Sequence, residues 1–213
     1  MSYYSRMVQW TVWGLLMTVI LAITGAFVLS LAEKGKLDKK APPIYGTISD
    51  FALTNQNGHA VTLATLREQV WIADIIFTRC PLQCKMMSKR MSELQSRFPA
   101  GKPVKLVSLT ADPAWDTATV LKKYGELYGA ANDRWLFLTG EKWQINRLAI
   151  QGLKLAVVDK KPEERENPDD LFIHSAKFVL VDKHGRVRGW FDGDKPESVE
   201  QILSAGKALL REK

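Results

Sequence analysis

Cysteine occurs only twice in this chain of 213 residues, which excludes a disulfide-built scaffold and a four-thiolate zinc site. Histidine occurs three times, so imidazole chemistry has few candidates. Glycine (14) and proline (9) are too sparse for a collagen-like or low-complexity chain, and 46% hydrophobic with 25% charged residues is ordinary globular composition. At the usual ~150 residues per domain, the length makes room for one globular domain and an appendage. Charge of one sign is modest too. The net charge is +7, but residues 1–43 hold five Lys/Arg against two Asp/Glu, which leaves +4 on the rest. That is a weak footprint for a phosphate backbone, and no nucleic-acid partner is expected.

What the chain does have, near its start, is a long stretch without charge. Met7 to Ala32 spans 26 uncharged residues, which at ~1.5 Å per residue give about 39 Å of helix, enough to cross a ~30 Å hydrocarbon core with tilt. Trp10 and Trp13 suit an interfacial belt, and Gly14 and Gly25 are tolerated where lipid forces the backbone to bond to itself. We therefore expect a single-pass membrane anchor over residues 1–32. A cleaved signal peptide is the alternative, since Ser30-Leu31-Ala32 loosely fits a processing site, but the apolar core exceeds the ~7–15 residues of that class. Arg6 flanks the near side, and Lys34, Lys36, Lys39 and Lys40 the far side. That count by itself would keep the rest of the chain in the cytoplasm, although the rule weakens for long translocated domains. Residues 33–43, charged and ending Ala41-Pro42-Pro43, read as an extended tether, and residues 44–213 as the globular domain. The absence of an Arg-rich amphipathic leader favours a bacterial over a mitochondrial protein.

In that domain, Asp50–Thr54 and Ala60–Leu63 alternate about an Asn57-Gly58 turn, a β-hairpin signal. Val70–Phe77 is an apolar run interrupted only by Asp74, as expected of a strand buried on both faces. A helical pattern follows through Met86, Met87, Met91, Leu94 and Phe98. The alternation continues with Lys105–Leu109 as strand, Thr117–Tyr128 as helix, Trp135–Leu138 as strand and Lys142–Gln151 as helix. Leu153–Val158, Phe172–Val181 and Val187–Phe191 read as strands, the last two forming an antiparallel edge about Asp182–Gly185, and Ser198–Leu210 as a closing helix. Lys160–Asp170 reads as a solvated loop. The pattern implies an α/β domain with a central mixed sheet and helices on both faces.

Both cysteines fall at the junction of the buried strand and its helix, in Thr78-Arg79-Cys80-Pro81-Leu82-Gln83-Cys84-Lys85. With Pro81 in the first helical position, Cys80 is the N-cap and Cys84 lies one turn inside, so the helix dipole lowers both thiol pKa values. Cβ atoms four apart on a helix are ~5–6 Å distant, wider than the 3.5–4.5 Å of a relaxed disulfide, whereas a metal bridges such a gap. The backbone at Cys80 still has freedom to close a disulfide, so both states stay open. Two soft sulfurs select Cu(I) or Zn over Mg or Ca, and an imidazole would complete a trigonal site. His59 and His184 sit in turn sequences and read as exposed. His174, at the head of the run Ser175–Val181, is the candidate third ligand. The spacing of Met86, Met87 and Met91 reads as core packing, and Arg79 as either a steadying charge for the thiolates or a surface residue.

These pieces resemble the Sco/SenC family of membrane-anchored, thioredoxin-fold copper proteins, from about Ile48 to the end. They are the strand ending Phe77-Thr78, the loop Cys80-Pro81 to Cys84, Asp112-Pro113 with Asp116-Thr117, Trp135–Gly140, and His174-Ser175 leading into Leu180-Val181-Asp182. The resemblance implies a thioredoxin-like fold with copper on Cys80, Cys84 and His174. It also implies an extracytoplasmic, periplasmic-side domain on a bacterial cell membrane, and a role in maturing the binuclear copper centre of cytochrome c oxidase subunit II. Lys85 stands where the family usually has proline, and Ile173 where it often has an acid; Asp169 and Asp170 lie just upstream.

The leading expectation is a copper metallochaperone, not strictly an enzyme, that serves subunit II or another copper enzyme. The alternative is a thiol–disulfide oxidoreductase that uses Cys80 and Cys84 as its redox pair to reduce a copper-receiving partner, with Cys80 as nucleophile. A peroxidase and a purely structural disulfide are the minor readings.

Overall fold

A computed structural model describes residues 3–37, 41–131, 133–165 and 171–212. The chain divides into two compact units, residues 1–40 and 41–213. The first contains one helix, α1 (Tyr3–Leu37), within which Trp10–Leu29 is long and apolar enough to cross a membrane. The helix runs on to Leu37; Lys39 and Lys40 of the expected tether lie outside the described residues.

The second unit is built on one mixed sheet. Its strands are β1 (Gly46–Thr47), β2 (Ala52–Asn55), β3 (Ala60–Thr62), β4 (Val70–Ile76), β5 (Val104–Thr110) and β6 (Trp135–Thr139), followed by β9 (Lys177–Val181) and β10 (Arg186–Asp192). They are ordered β1-β10-β9-β4-β5-β6-β2-β3. β4, β5 and β6 run parallel, and β9 returns antiparallel to β4. Every residue of β4 is buried, which is why its sequence is nearly all apolar where a half-exposed strand would alternate. The N-terminal hairpin β2–β3 forms about Gly58 as expected and pairs with β6. Gln56 fastens it there, its amide donating to the Trp135 carbonyl and its Oε1 accepting from Phe137 N–H.

The helices are α2 (Leu63–Leu66), α3 (Gln83–Arg97), α4 (Ala118–Leu127), α5 (Lys142–Asn146) and α6 (Ser198–Arg211). α3 lies between α4 and α6: Ser92 and Gln95 donate to the carbonyls of Tyr128 and Gly129, and Phe98 packs on Gly206. Met87 and Met91 are fully buried on α3, so they pack the core as their spacing implies.

Three expectations are corrected. Phe172–Val181 is not one strand. It breaks at Ser175-Ala176 into β8 (Phe172–His174), which pairs with β7 (Val157–Asp159) as a separate hairpin, and β9 in the main sheet. The Ser175 hydroxyl accepts from Ala156 N–H while Ser175 N–H donates to the Ala156 carbonyl, so the chain is diverted there. The helix from Lys142 changes at Arg147 into a π-helical turn ending at Gly152. The β9–β10 pair is not the sheet edge, because the two-residue β1 covers β10. The turn between β9 and β10 does form, with Gly185 at φ +75° and an added Cβ only 2.9 Å from Leu63 Cδ1, so only glycine fits. In the Lys160–Asp170 loop, Glu166–Asp170 lie outside the described residues, and with them Asp169 and Asp170.

At the foot of the domain Arg188 is nearly buried. Its guanidinium pairs with Asp182 at 2.7 Å and Glu212 at 2.8 Å, and its Nε donates to the Pro42 carbonyl at 2.8 Å.

Candidate metal centre

β4 delivers the chain to the cysteine loop. After Phe77 the backbone closes a turn through Cys80 N–H to the Phe77 carbonyl, 3.1 Å. The helix then begins at Gln83, with Leu82 as its non-helical N-cap, not at Pro81. The cause is the sulfur: Cys84 N–H points at Cys80 Sγ, 3.4 Å away, so the side chain of Cys80 takes the place of a helical carbonyl.

His174 arrives on β8, ninety positions later in the chain, and stands edge-on to Phe77 at 5.7 Å between ring centroids. Phe172, two residues before it, meets the same ring at 5.1 Å, and Lys142 pairs with Asp159 on β7 at 2.5 Å. The ring contacts seat the hairpin against the end of β4, and the ion pair ties it to α5. One ligand atom from each of Cys80, Cys84 and His174 lies within 4.8 Å of the others. Cys84 Sγ is 3.3 Å from His174 Nε2, and His174 Nδ1 is 3.4 Å from the Ser175 carbonyl. Both cysteines are free thiols.

The two sulfurs differ electrostatically. The hydrogen bond from Cys84 holds the Cys80 thiol down to about 4, with help from His174 and against the effect of burial. Cys84 moves the other way: burial pushes its thiol up, and the neighbouring Cys80 thiolate adds to the rise. The expectation that the helix dipole lowers both is therefore corrected. A first-turn dipole contributes up to ~2 kcal/mol, less than the cost of burying a second anion beside the first.

The surroundings of the cysteine loop are polar and fixed. Arg79 pairs with Asp112 at 2.8 Å and lies 4.4 Å over the Trp115 ring, so it is held by the loop after β5. Asp74, read in the sequence only as an interruption of β4, is fully buried, and neither of its carboxylate oxygens has a hydrogen-bond partner among the described residues. Desolvation pushes its pKa up to about 7, against the lowering effects of the Ser108 hydroxyl and of His174. Sequence reasoning passed over it because one acid in an apolar run carries no periodic signal. His59 and His184 are exposed, as expected. Lys85 and Ile173, the two departures from the resemblance, are exposed as well.

As a donor set, two sulfurs and one imidazole nitrogen at this separation suit a soft or borderline ion, and nothing hard. An ion binding there displaces the Cys84 proton.

The SCO1/SenC family model matches residues 40–211. The SCO1 protein homolog of Bacillus subtilis (strain 168) is 34% identical over 195 residues, covering 90% of this chain and 97% of that protein. Among solved structures, BsSco, described as having a disulfide switch and as a member of the Sco family of cytochrome c oxidase assembly proteins, is 33% identical. It matches with TM-score 0.68 over 82% of this chain and 99% of its own. Bradyrhizobium japonicum ScoI with copper bound matches at TM-score 0.61 and 23% identity, over 76% of this chain and 98% of that one. The expected thioredoxin-like fold is borne out by these neighbours.

Proposed function

The chain belongs to the SCO1/SenC family, and on that premise we propose that it is a membrane-anchored copper metallochaperone whose ligands are Cys80, Cys84 and His174. The observation that carries this reading is the convergence, within 4.8 Å, of two thiols from the loop and helix that follow β4 and an imidazole from the separate β7–β8 hairpin. Copper supplies no catalysis here; it is cargo, held by soft donors until a partner's ligands replace them. Residues 1–32 anchor the protein in a bacterial cell membrane as a single pass, residues 33–43 tether it, and residues 44–213 form the copper domain on the periplasmic side. The receiving site is the binuclear copper centre of cytochrome c oxidase subunit II or a similar copper enzyme. The apolar span Trp10–Leu29 supports the anchor, and the relative described as an oxidase assembly protein supports the partner. X-ray absorption on the Cu(I)-loaded protein should show two sulfur ligands and one nitrogen per copper, and His174→Ala should remove the nitrogen alone. A spectrum without sulfur would end the proposal.

A second reading is favoured by the asymmetry of the thiols. Cys80, ionised at neutral pH, attacks a disulfide of the copper-receiving partner, and Cys84 resolves the mixed disulfide. Because Cys80 is held near 4, its alkylation by iodoacetamide should be almost flat from pH 6 to pH 8. An ordinary thiol titrating near 9 would speed up about a hundredfold over that range, and such a rise would remove the basis for this chemistry. His174→Ala separates the two readings, since disulfide reduction survives it and the full copper site does not.

A further inference from the structure

Asp116 is fully buried, and its carboxylate faces away from its own helix. α4 is capped instead by the Thr117 hydroxyl, which accepts from Val120 N–H. Asp116 Oδ2 accepts from Thr78 N–H at 3.1 Å and from the Thr110 hydroxyl at 2.5 Å, and Oδ1 accepts from the Thr78 hydroxyl at 2.5 Å. Two of its three donors thus belong to one residue, two positions before Cys80. Thr110 extends the network by accepting from Asp112 N–H at 2.9 Å, and Asp112 in turn holds Arg79. The loop after β5 therefore grips both residues between Phe77 and Cys80. Burying a carboxylate costs several kcal/mol unless hydrogen bonds offset it, and here the offset comes largely from the cysteine turn.

We infer that Asp116 is a positioning residue for the redox and metal chemistry of Cys80: by clamping Thr78 it keeps the turn in the open-thiol arrangement that receives an ion and resists the movement that closes a disulfide. In the clamped turn the sulfurs are unbonded, with Cys80 Sγ receiving the Cys84 N–H. A disulfide requires them at ~2.05 Å, and Cys80, outside the helix, is the partner that must move. A clamp that pre-organises one arrangement disfavours the other, so its removal shifts two equilibria in opposite directions. General loosening of the fold lacks that signature.

The test uses the full chain in detergent, with Asp116→Asn and, should that variant fail to fold, Thr78→Val, which keeps the side-chain shape and deletes one donor. The first measurement is the equilibrium with glutathione disulfide, in which the two thiols are oxidised to the Cys80–Cys84 bond and one glutathione disulfide is reduced to two glutathione thiols. The second is Cu(I) affinity by competition with a chelator. Relative to the unsubstituted protein, the oxidation equilibrium constant should rise about tenfold, a potential about 30 mV more negative, while Cu(I) affinity falls about tenfold. No change in the glutathione equilibrium, or a move toward the thiols, would overturn the assignment. Only the copper measurement rests on the proposed ligand set. If the unsubstituted protein binds no Cu(I) yet the glutathione equilibrium shifts as stated, the ligand reading fails and the positioning role stands.

Discussion

Cys84→Ala should lower Cu(I) affinity by on the order of a thousandfold, about 4 kcal/mol at 1.4 kcal/mol per decade. Losing a residue that merely orients a ligand costs about 10–100-fold, and Cys84 is placed to be a ligand itself. Its sulfur is fully buried and lies 3.3 Å from His174 Nε2, so bulk solvent does not reach the position to replace it. The remaining thiolate and imidazole form a two-donor site open on the side that Cys84 occupied. Chelator competition on the variant and on the double variant Cys80→Ala, Cys84→Ala checks this. Near-equal affinity for the unsubstituted protein and Cys84→Ala would show that copper binds elsewhere. The alanine leaves only a small cavity, and circular dichroism distinguishes misfolding from ligand loss.

The second large effect concerns Asp74 and pH. In the unfolded chain its carboxyl ionises near 3.8, whereas in the fold desolvation holds the proton until about 7. Between those values the folded state carries one proton more than the unfolded, so stability falls as pH rises through that window. Each pH unit removes about 1.4 kcal/mol, roughly 4 kcal/mol in all. Below pH 4 the residue contributes no slope, and above pH 7 the full penalty of a buried, unpartnered anion is present. Asp74→Asn removes the penalty. Urea unfolding of residues 41–213 should show the variant matching the original near pH 4 and exceeding it by a few kcal/mol at pH 8. Asp182, whose pKa is held low by its arginine partners despite desolvation, contributes stability that is lost as pH falls. That slope is common to both proteins and cancels in the difference. An identical pH profile for the two would mean that Asp74 is not the ionising group.

The order of strands and helices was legible because β4, β5 and β6 are buried on both faces and their helices repeat at helical spacing. So was the cysteine loop, since two thiols at a strand–helix junction are a local signal. His174 was legible as a candidate by exclusion, the other two histidines being turn residues. The break at Ser175-Ala176 was not, because both sides of it favour extended backbone and only the contacts with Ala156 separate them. The start of α3 was missed for a related reason: propensity places Pro81 at the first helical position, and the competing acceptor is a sulfur whose location depends on the folded turn. The opposed pKa values of the thiols were equally hidden. They depend on which sulfur is buried deeper and on the presence of the other, and neither can be counted along a chain.

The hairpin β7–β8 stands outside the eight-stranded ladder that secures β4 on both sides. It is held by ring contacts to Phe77, the Lys142–Asp159 pair and the hydrogen bonds at Ala156 and Ser175, each worth at most about 1.5 kcal/mol. Sub-global opening of this corner leaves the main sheet intact, takes Val157 out of the core and withdraws the imidazole while the thiols stay in place. On the proposed ligand set, a copper ion would leave in two steps, nitrogen first, with the first step set by how often one small hairpin frays.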